Sequence, residues 1–307
     1  MSSKPAEGFH ERKRFRFDAR AIRATVPGIL PSTLALWRRR GAGLAVEEIT
    51  YWSGRLRVRG FLVYPKRHRG KVPAIIYNRG GNEDFGQLTL HHVHSILAPL
   101  AEAGYVVIAS QYRGVAGGDG REEYGGRDVQ DVLNLIPCLR QLRFADTHRI
   151  GMYGWSRGGM MTYLALKKLR TIKAAVVGGG SSDLIASSRY RPNMLRNVYK
   201  KLIPAKGRRL VSAMKQRSAI YWPAKLAPKT PLLLLHGTAD WRVRPTESIR
   251  MAEALMRLRR PVRLIVYEGA DHGIHEHWQD VHRQTVAWFD RFLKHGERLP
   301  NMNPHGA

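Results

Sequence analysis

Residues 148–163 read HRIGMYGWSRGGMMTY. Residues suited to a β-strand lead directly into Gly-Trp-Ser-Arg-Gly-Gly, and helix-forming residues resume at once. This is the pattern G-x-S-x-G, in which Gly154 and Gly158 leave room for a sharp strand-to-helix reversal that lifts Ser156 clear of the backbone. The five residues alone carry little, because glycine is common and serine favours turns. An ordinary glycine-rich turn between strand and helix is the competing reading, and the flanking chain must decide.

Working outward, strand and helix alternate on both sides. GLAVEEITYWSGRLRVRGFLVYP predicts two strands joined at Ser53-Gly54, and VPAIIYNRG a buried strand. HHVHSILAPLAEAG predicts a helix closed by Gly104, and YVVIASQYRG another strand. GRDVQDVLNLIPCLRQLRF reads as one helix with Asp128 as its cap. Beyond the serine turn come the strands IKAAVVGGG, TPLLLLHGTAD and PVRLIVYEGADH, with helices at PTESIRMAEALMRLRR and HWQDVHRQTVAWFDRFLKHG. The strands are continuous Val/Ile/Leu runs, the mark of a mostly parallel sheet covered by helices on both faces. Residues 181–226 break the rhythm: helical, irregular and too long for an ordinary connection, they predict a small lid inserted over the sheet. Residues 1–42, with Pro27 and Pro31 and little periodicity, read as a basic extension that packs on the main body or stays partly loose. The expected organisation is that extension followed by one α/β domain over 43–307.

Composition narrows the function. The 307 residues are 43% hydrophobic, enough for one large core. No run of ~20 apolar residues could span a membrane, and the N-terminus lacks the apolar segment of a secretory signal. Cys138 is the only cysteine, so no internal disulfide forms and a cytoplasmic, reducing location is expected; within LNLIPCLRQL it reads as a small buried apolar residue. The formal net charge of +28 predicts attraction to polyanions: nucleic acid, acidic lipid surfaces or anionic substrates. The basic residues are spread along the chain, with concentrations at 11–23, 38–40 and 189–217. No zinc-finger spacing, RNA-binding sheet signature or basic zipper accompanies them, which favours generic charge over a dedicated nucleic-acid module.

A parallel sheet gathers its functional residues at the carboxyl ends of its strands. The strand LLLLHGTAD delivers Asp240 there, and RLIVYEGADHG delivers His272. Ser156, Asp240 and His272 follow the chain order of the α/β-hydrolase arrangement. A serine hydroxyl is a poor nucleophile until an imidazole takes its proton, and the imidazole needs a carboxylate to fix its tautomer. His275 and His277 compete for the base, but His272 lies nearest the strand end; Asp271 is the alternative acid, poorly placed because it adjoins His272. An acyl-transfer site also needs oxyanion donors. The Arg157 backbone N–H is one, and the loop YNRGGNEDFG supplies a second from Arg79, Gly80 or Gly81. His91, His92 and His94 look like a metal cluster, but adjacent helical positions diverge and no suitably spaced carboxylate accompanies them. No metal or cofactor is expected. The aromatics Tyr190, Tyr199, Tyr221 and Trp222 either line an acyl pocket or, by default, anchor the insertion; Tyr112-Arg113-Gly114 reads as shaping a loop near the site.

GGRDVQDVLNLI at 125–136, RIGMYGWSRGGMM at 149–161, SAIYWPAKL at 218–226, HGTADWRVRPTES at 236–248 and DHG at 271–273 together resemble the catalytic domain of the prolyl oligopeptidase family of serine peptidases, over roughly residues 45–295. The resemblance implies an α/β-hydrolase fold and hydrolysis through an acyl-enzyme, with Ser156, Asp240 and His272 as the triad. Three departures stand out. Family members usually carry a large β-propeller, for which ~45 leading residues leave no room, so the peptide-size filter is in doubt. Tyrosine often follows the serine where this chain has Arg157, and tyrosine or histidine often precedes the paired glycines where it has Arg79. The two arginines suggest an anionic acyl or leaving group, or else ion pairs with Glu83 or Asp84. The expectation is thus a serine hydrolase acting on a small molecule or short peptide. Peptidase and carboxylesterase stay open, and a polyanion-binding protein on the same fold is the rival from another class.

Overall fold

The computed structural model describes residues 7–306. Nine strands form one sheet: β1 (Gly8–Phe15), β2 (Leu44–Ser53), β3 (Leu56–Pro65), β4 (Val72–Asn78), β5 (Val106–Ser110), β6 (Ala145–Trp155), β7 (Ile172–Gly178), β8 (Leu232–Gly237) and β9 (Val262–Tyr267). Their order across the sheet is β1-β2-β3-β5-β4-β6-β7-β8-β9. The first three strands pair antiparallel, as does β3 with β5, and every pair from β5 to β9 is parallel. The central strands bury both faces, so their apolar residues run consecutively rather than at alternate positions, with the buried polar residues Asn78, Ser110 and His236 at or near the carboxyl ends.

Two apolar cores follow, one per face. The helices within 129–140, Arg157–Lys168, the helical segment 184–217 and Thr246–Arg257 cover one. The helical stretches 90–102 and 278–294 cover the other. Cys138 is fully buried in the first core. Among the described residues no helix is long and apolar enough to cross a membrane, and they hold only this one sheet, with no propeller blades.

Several local expectations need correction. The stretch expected to be an irregular extension contributes β1, which pairs along β2 with a bulge between Phe9 and Glu11, so the sheet runs across the expected boundary at residue 42. Two helices follow: Ala19–Thr25, capped by the Asp18 carboxylate, and Pro31–Ala42. Ile22, Leu34 and Trp37 give them a small core of their own. Residues 1–6 lie outside the described residues. The single helix expected after Gly126 is two, Val129–Leu133 and Leu135–Arg140, because Pro137 has no N–H to offer the Leu133 carbonyl. Nor does Asp128 cap it; the carboxylate accepts the Gly125 N–H and binds Arg157 instead.

Register assembles the rim. Asn78 is level with Gly154, Trp155 with Gly178, Gly178 with Leu235, and Gly237 with Tyr267. The loops leaving β4, β6, β7, β8 and β9 therefore emerge side by side. Strand order also reverses around β4, placing a crevice at that rim.

Candidate active site

Ser156 sits at φ 57°, ψ −122°, a strained backbone for a residue with a side chain, between the end of β6 and the helix Arg157–Lys168. Two contacts enforce the turn. A Cβ on Gly154 would lie 2.1 Å from the Gly158 carbonyl oxygen, and one on Gly158 would lie 1.9 Å from that of Asn78. Only glycines let the helix start this close to the strand. The Ser156 N–H donates to the Gly178 oxygen, and its carbonyl accepts from Gly159 and Ser181, so the backbone is held from both sides.

Three residues beyond β8, Asp240 is buried with its carboxylate fully partnered. Oδ1 accepts the N–H groups of Arg242 (2.8 Å) and Val243 (2.9 Å). Oδ2 lies 2.6 Å from His272 Nδ1 and 3.1 Å from Nε2 of the buried His236. Burial opposes ionisation here, but the bonds from His236 and His272 and the Val243 N–H outweigh it, and the carboxyl lies well below its usual range. A carboxylate only accepts, so His272 Nδ1 carries the proton and Nε2 keeps its lone pair. The His272 carbonyl accepts the Trp155 indole N–H at 2.9 Å, tying the histidine loop to the residue before the serine. Ser156 and His272 line one cavity of about 560 Å³, together with Gly80 and Gly81. No hydrogen bond joins the hydroxyl to the imidazole among the described residues; in enzymes without substrate such bonds are often long and tighten on binding.

The competing groups are engaged elsewhere. Asp271 accepts the Gly273 N–H and faces the exposed His275, while His277 stacks on Tyr267. His92 bonds to Thr89, and burial holds its pKa down at about 4; His94 stacks on Trp37. The insertion's aromatics do not line the cavity. Tyr190 donates to Glu247, Tyr221 to Asp183 and Trp222 to the Lys215 carbonyl, while Tyr199 packs on Tyr124. At the cavity mouth stand Phe85 and Trp241, both about two-thirds exposed (65% and 66%), with the Arg242 guanidinium near both rings.

The two arginines require the largest revision. Both are buried, and neither pairs with the carboxylate of Glu83 or Asp84 or presents its charge to a substrate. Arg157 meets Asp128 at 2.5 Å and Glu122 at 2.6 Å, the latter an ion pair outside hydrogen-bond alignment, and donates to the Gly81 carbonyl at 3.0 Å. Arg79 donates to the carbonyls of Gly80 (3.0 Å), Glu83 (2.9 Å), Phe85 (3.4 Å) and Gln111 (2.9 Å), and lies 3.5 Å from Glu122. Both guanidiniums lie against the Tyr112 ring, so these two arginines give no support to an anionic substrate. The backbone of the loop remains available: neither Gly80 nor Gly81 donates its N–H to a turn or loop carbonyl among the described residues, nor does Arg157 at the first position of its helix.

His236 was not foreseen as a site residue. It was legible as the one polar side chain in the run LLLLHG, four residues before Asp240. Its Nε2 is 2.9 Å from the Val243 carbonyl, which only accepts, so the proton sits on Nε2 and Nδ1 takes the Ser248 hydroxyl.

The parallel sheet with its rim of serine, aspartate and histidine defines an α/β-hydrolase. The prolyl oligopeptidase family profile matches residues 91–296. An uncharacterized peptidase of Bacillus subtilis, YtmA, is 31% identical over 225 residues, covering 73% of this chain and 84% of its own length. Dipeptidyl-peptidase 5 of Porphyromonas gingivalis is 27% identical over 73% of this chain, but the match spans only 34% of that protein. The structure of a puromycin-hydrolyzing peptidase from Mycobacterium tuberculosis superposes with a TM-score of 0.66 at 24% identity, covering 79% of this chain and 38% of that one. The chain belongs to the prolyl oligopeptidase family, and with that membership it is a serine hydrolase.

Proposed function

We propose that the chain cleaves the amide bond of a short peptide or aminoacyl compound through an acyl-enzyme on Ser156. His272 Nε2 removes the hydroxyl proton as the oxygen attacks the carbonyl, and Asp240 holds the imidazole in the required tautomer and stabilises its cation. The Arg157 N–H and one from the Gly80-Gly81 loop receive the oxyanion. His272 then protonates the leaving nitrogen, and water repeats the sequence to release the acid. The observation that carries this reading is the 2.6 Å contact between His272 and the buried Asp240, beside the cavity that also holds Ser156.

The peptide assignment is supported by YtmA, described as a peptidase, which this chain spans for most of its length. A carboxylesterase acting on small esters is the second reading, favoured by the apolar and aromatic groups that face the cavity from Tyr77, Trp155 and Trp278. The lone Cys138 supports a reducing, cytoplasmic setting. A fluorophosphonate probe tests the core of the proposal: wild type should be labelled and Ser156→Ala should not. Turnover of aminoacyl and dipeptidyl amides against acyl esters then separates the two substrate readings. Absence of labelling, with strongly salt-dependent retention on DNA, would instead favour a polyanion-binding protein.

A further inference from the structure

The loop after β4 is held from below by charge. Arg79 is 1% exposed and has five N–H donors in a fixed planar fork; those donors reach the carbonyls of Gly80, Glu83, Phe85 and Gln111 and the Glu122 carboxylate. Glu122 also accepts the Glu83 N–H at 3.2 Å. Arg157, 2% exposed, takes the Gly81 carbonyl and is itself fixed by Glu122 and Asp128. Two cations and two anions thus lie buried together under one short loop. An arrangement of this kind adds little stability, because desolvating the charges offsets most of their attraction. It does impose orientation.

The orientation follows from peptide geometry. In a planar trans peptide the C=O and the next residue's N–H point in opposite directions. The Gly80 carbonyl is drawn inward to Arg79, so the Gly81 N–H is turned outward, to the cavity that Gly81 lines with Ser156. Gly80 abuts the serine: a Cβ there would lie 3.2 Å from Ser156 Cβ and 3.9 Å from Oγ. A guanidinium on the carbonyl also polarises the amide and makes its N–H a stronger donor.

Resting on the reading of Ser156 as the nucleophile, we propose that Arg79 and Arg157, held by Glu122 and Asp128, are positioning residues that fix the Gly80–Gly81 peptide with the Gly81 N–H as the second oxyanion donor. The loop then contributes a backbone donor preset by side chains buried beneath it. Arg157 serves both donors, supplying one from its own backbone and clamping the residue that supplies the other.

The test compares wild type with Arg79→Lys, Arg157→Lys and Glu122→Gln, using p-nitrophenyl butyrate as substrate and an alkyl trifluoromethyl ketone as tetrahedral analogue. Lysine keeps the charge but cannot hold several carbonyls in one plane. Arg79→Lys should lower kcat per titrated site by about 100-fold, the effect of losing one oxyanion donor, with KM within about twofold. Affinity for the trifluoromethyl ketone should fall in parallel with kcat/KM, while affinity for butyrate, the product, holds. A lower melting temperature with kcat and ketone affinity unchanged would overturn the proposal, since a merely structural cluster gives that result. If a lysine variant does not fold, Glu122→Gln, which keeps the shape, is read by the same two criteria. Failure of wild type to label with fluorophosphonate refutes the nucleophile reading itself and is thereby distinguishable.

Discussion

Asp240→Asn is the most demanding perturbation of this site, because it changes one heavy atom and turns an acceptor facing two imidazoles into a donor. The native carboxylate accepts two backbone N–H groups on Oδ1 and two imidazoles on Oδ2. An asparagine keeps its oxygen on the backbone pair and must then present NH2 to both histidines. Next to His272 the amide donates to Nδ1, forcing the proton to Nε2, so the nitrogen facing the serine becomes a donor and cannot accept the hydroxyl proton. The expected loss in kcat is about 10⁴-fold, by analogy with the serine-protease case, or about 5.5 kcal/mol of transition-state stabilisation. Next to His236 the NH2 meets a second N–H, because Val243 keeps that ring's proton on Nε2. That conflict costs about 1–3 kcal/mol of stability. Stopped-flow acylation with p-nitrophenyl butyrate reads the first quantity and urea unfolding the second.

The same substitution has a signature in acid. The Asp240 pKa is lowered on folding, so its ionised form adds stability above the unfolded value of about 4 and loses it as pH falls through the folded one. The variant should therefore lose less stability than wild type below about pH 4. A variant with more than a tenth of wild-type kcat would show that Asp240 does not hold the catalytic imidazole.

Gly158→Ala should abolish soluble protein or lower the urea midpoint sharply, since its methyl would lie 1.9 Å from a backbone oxygen that cannot move without displacing β4. Cys138 should resist Ellman's reagent at pH 8 in the native state and react with one equivalent in guanidinium chloride, because burial pushes its thiol up to about 12. Trp241→Ala, at the cavity mouth, should raise KM for aromatic amides or esters by up to about tenfold, the loss of a modest apolar contact, with kcat within about twofold.

The sequence made the middle of the sheet easy to read, for a physical reason: strands buried on both faces carry unbroken apolar runs, as in the LLLL of β8 and the AAVV of β7. β1 was hidden by the opposite circumstance. GFHERKRF lies at the sheet edge, where charged side chains discourage further pairing, and only its phenylalanines signal burial. The serine, aspartate and histidine were legible because each follows a readable strand end. Arg79 and Arg157 were misread because type and position suggest exposed cations, and burial depended on Glu122 and Asp128, which no local pattern links to them. His236 was missed because its partner is four residues away across a turn whose shape no local pattern specifies.

The backbone of Ser156 carries a wider implication. Its φ and ψ suit a residue without a side chain, so the fold would be more at ease with the nucleophile absent. Ser156→Gly should melt at a higher temperature than its parent by the equivalent of about 1–3 kcal/mol, whereas Ser156→Ala keeps the unfavourable conformation. An inert chain that outlasts the native one would mean that this position has been retained for reactivity and against the durability of the protein.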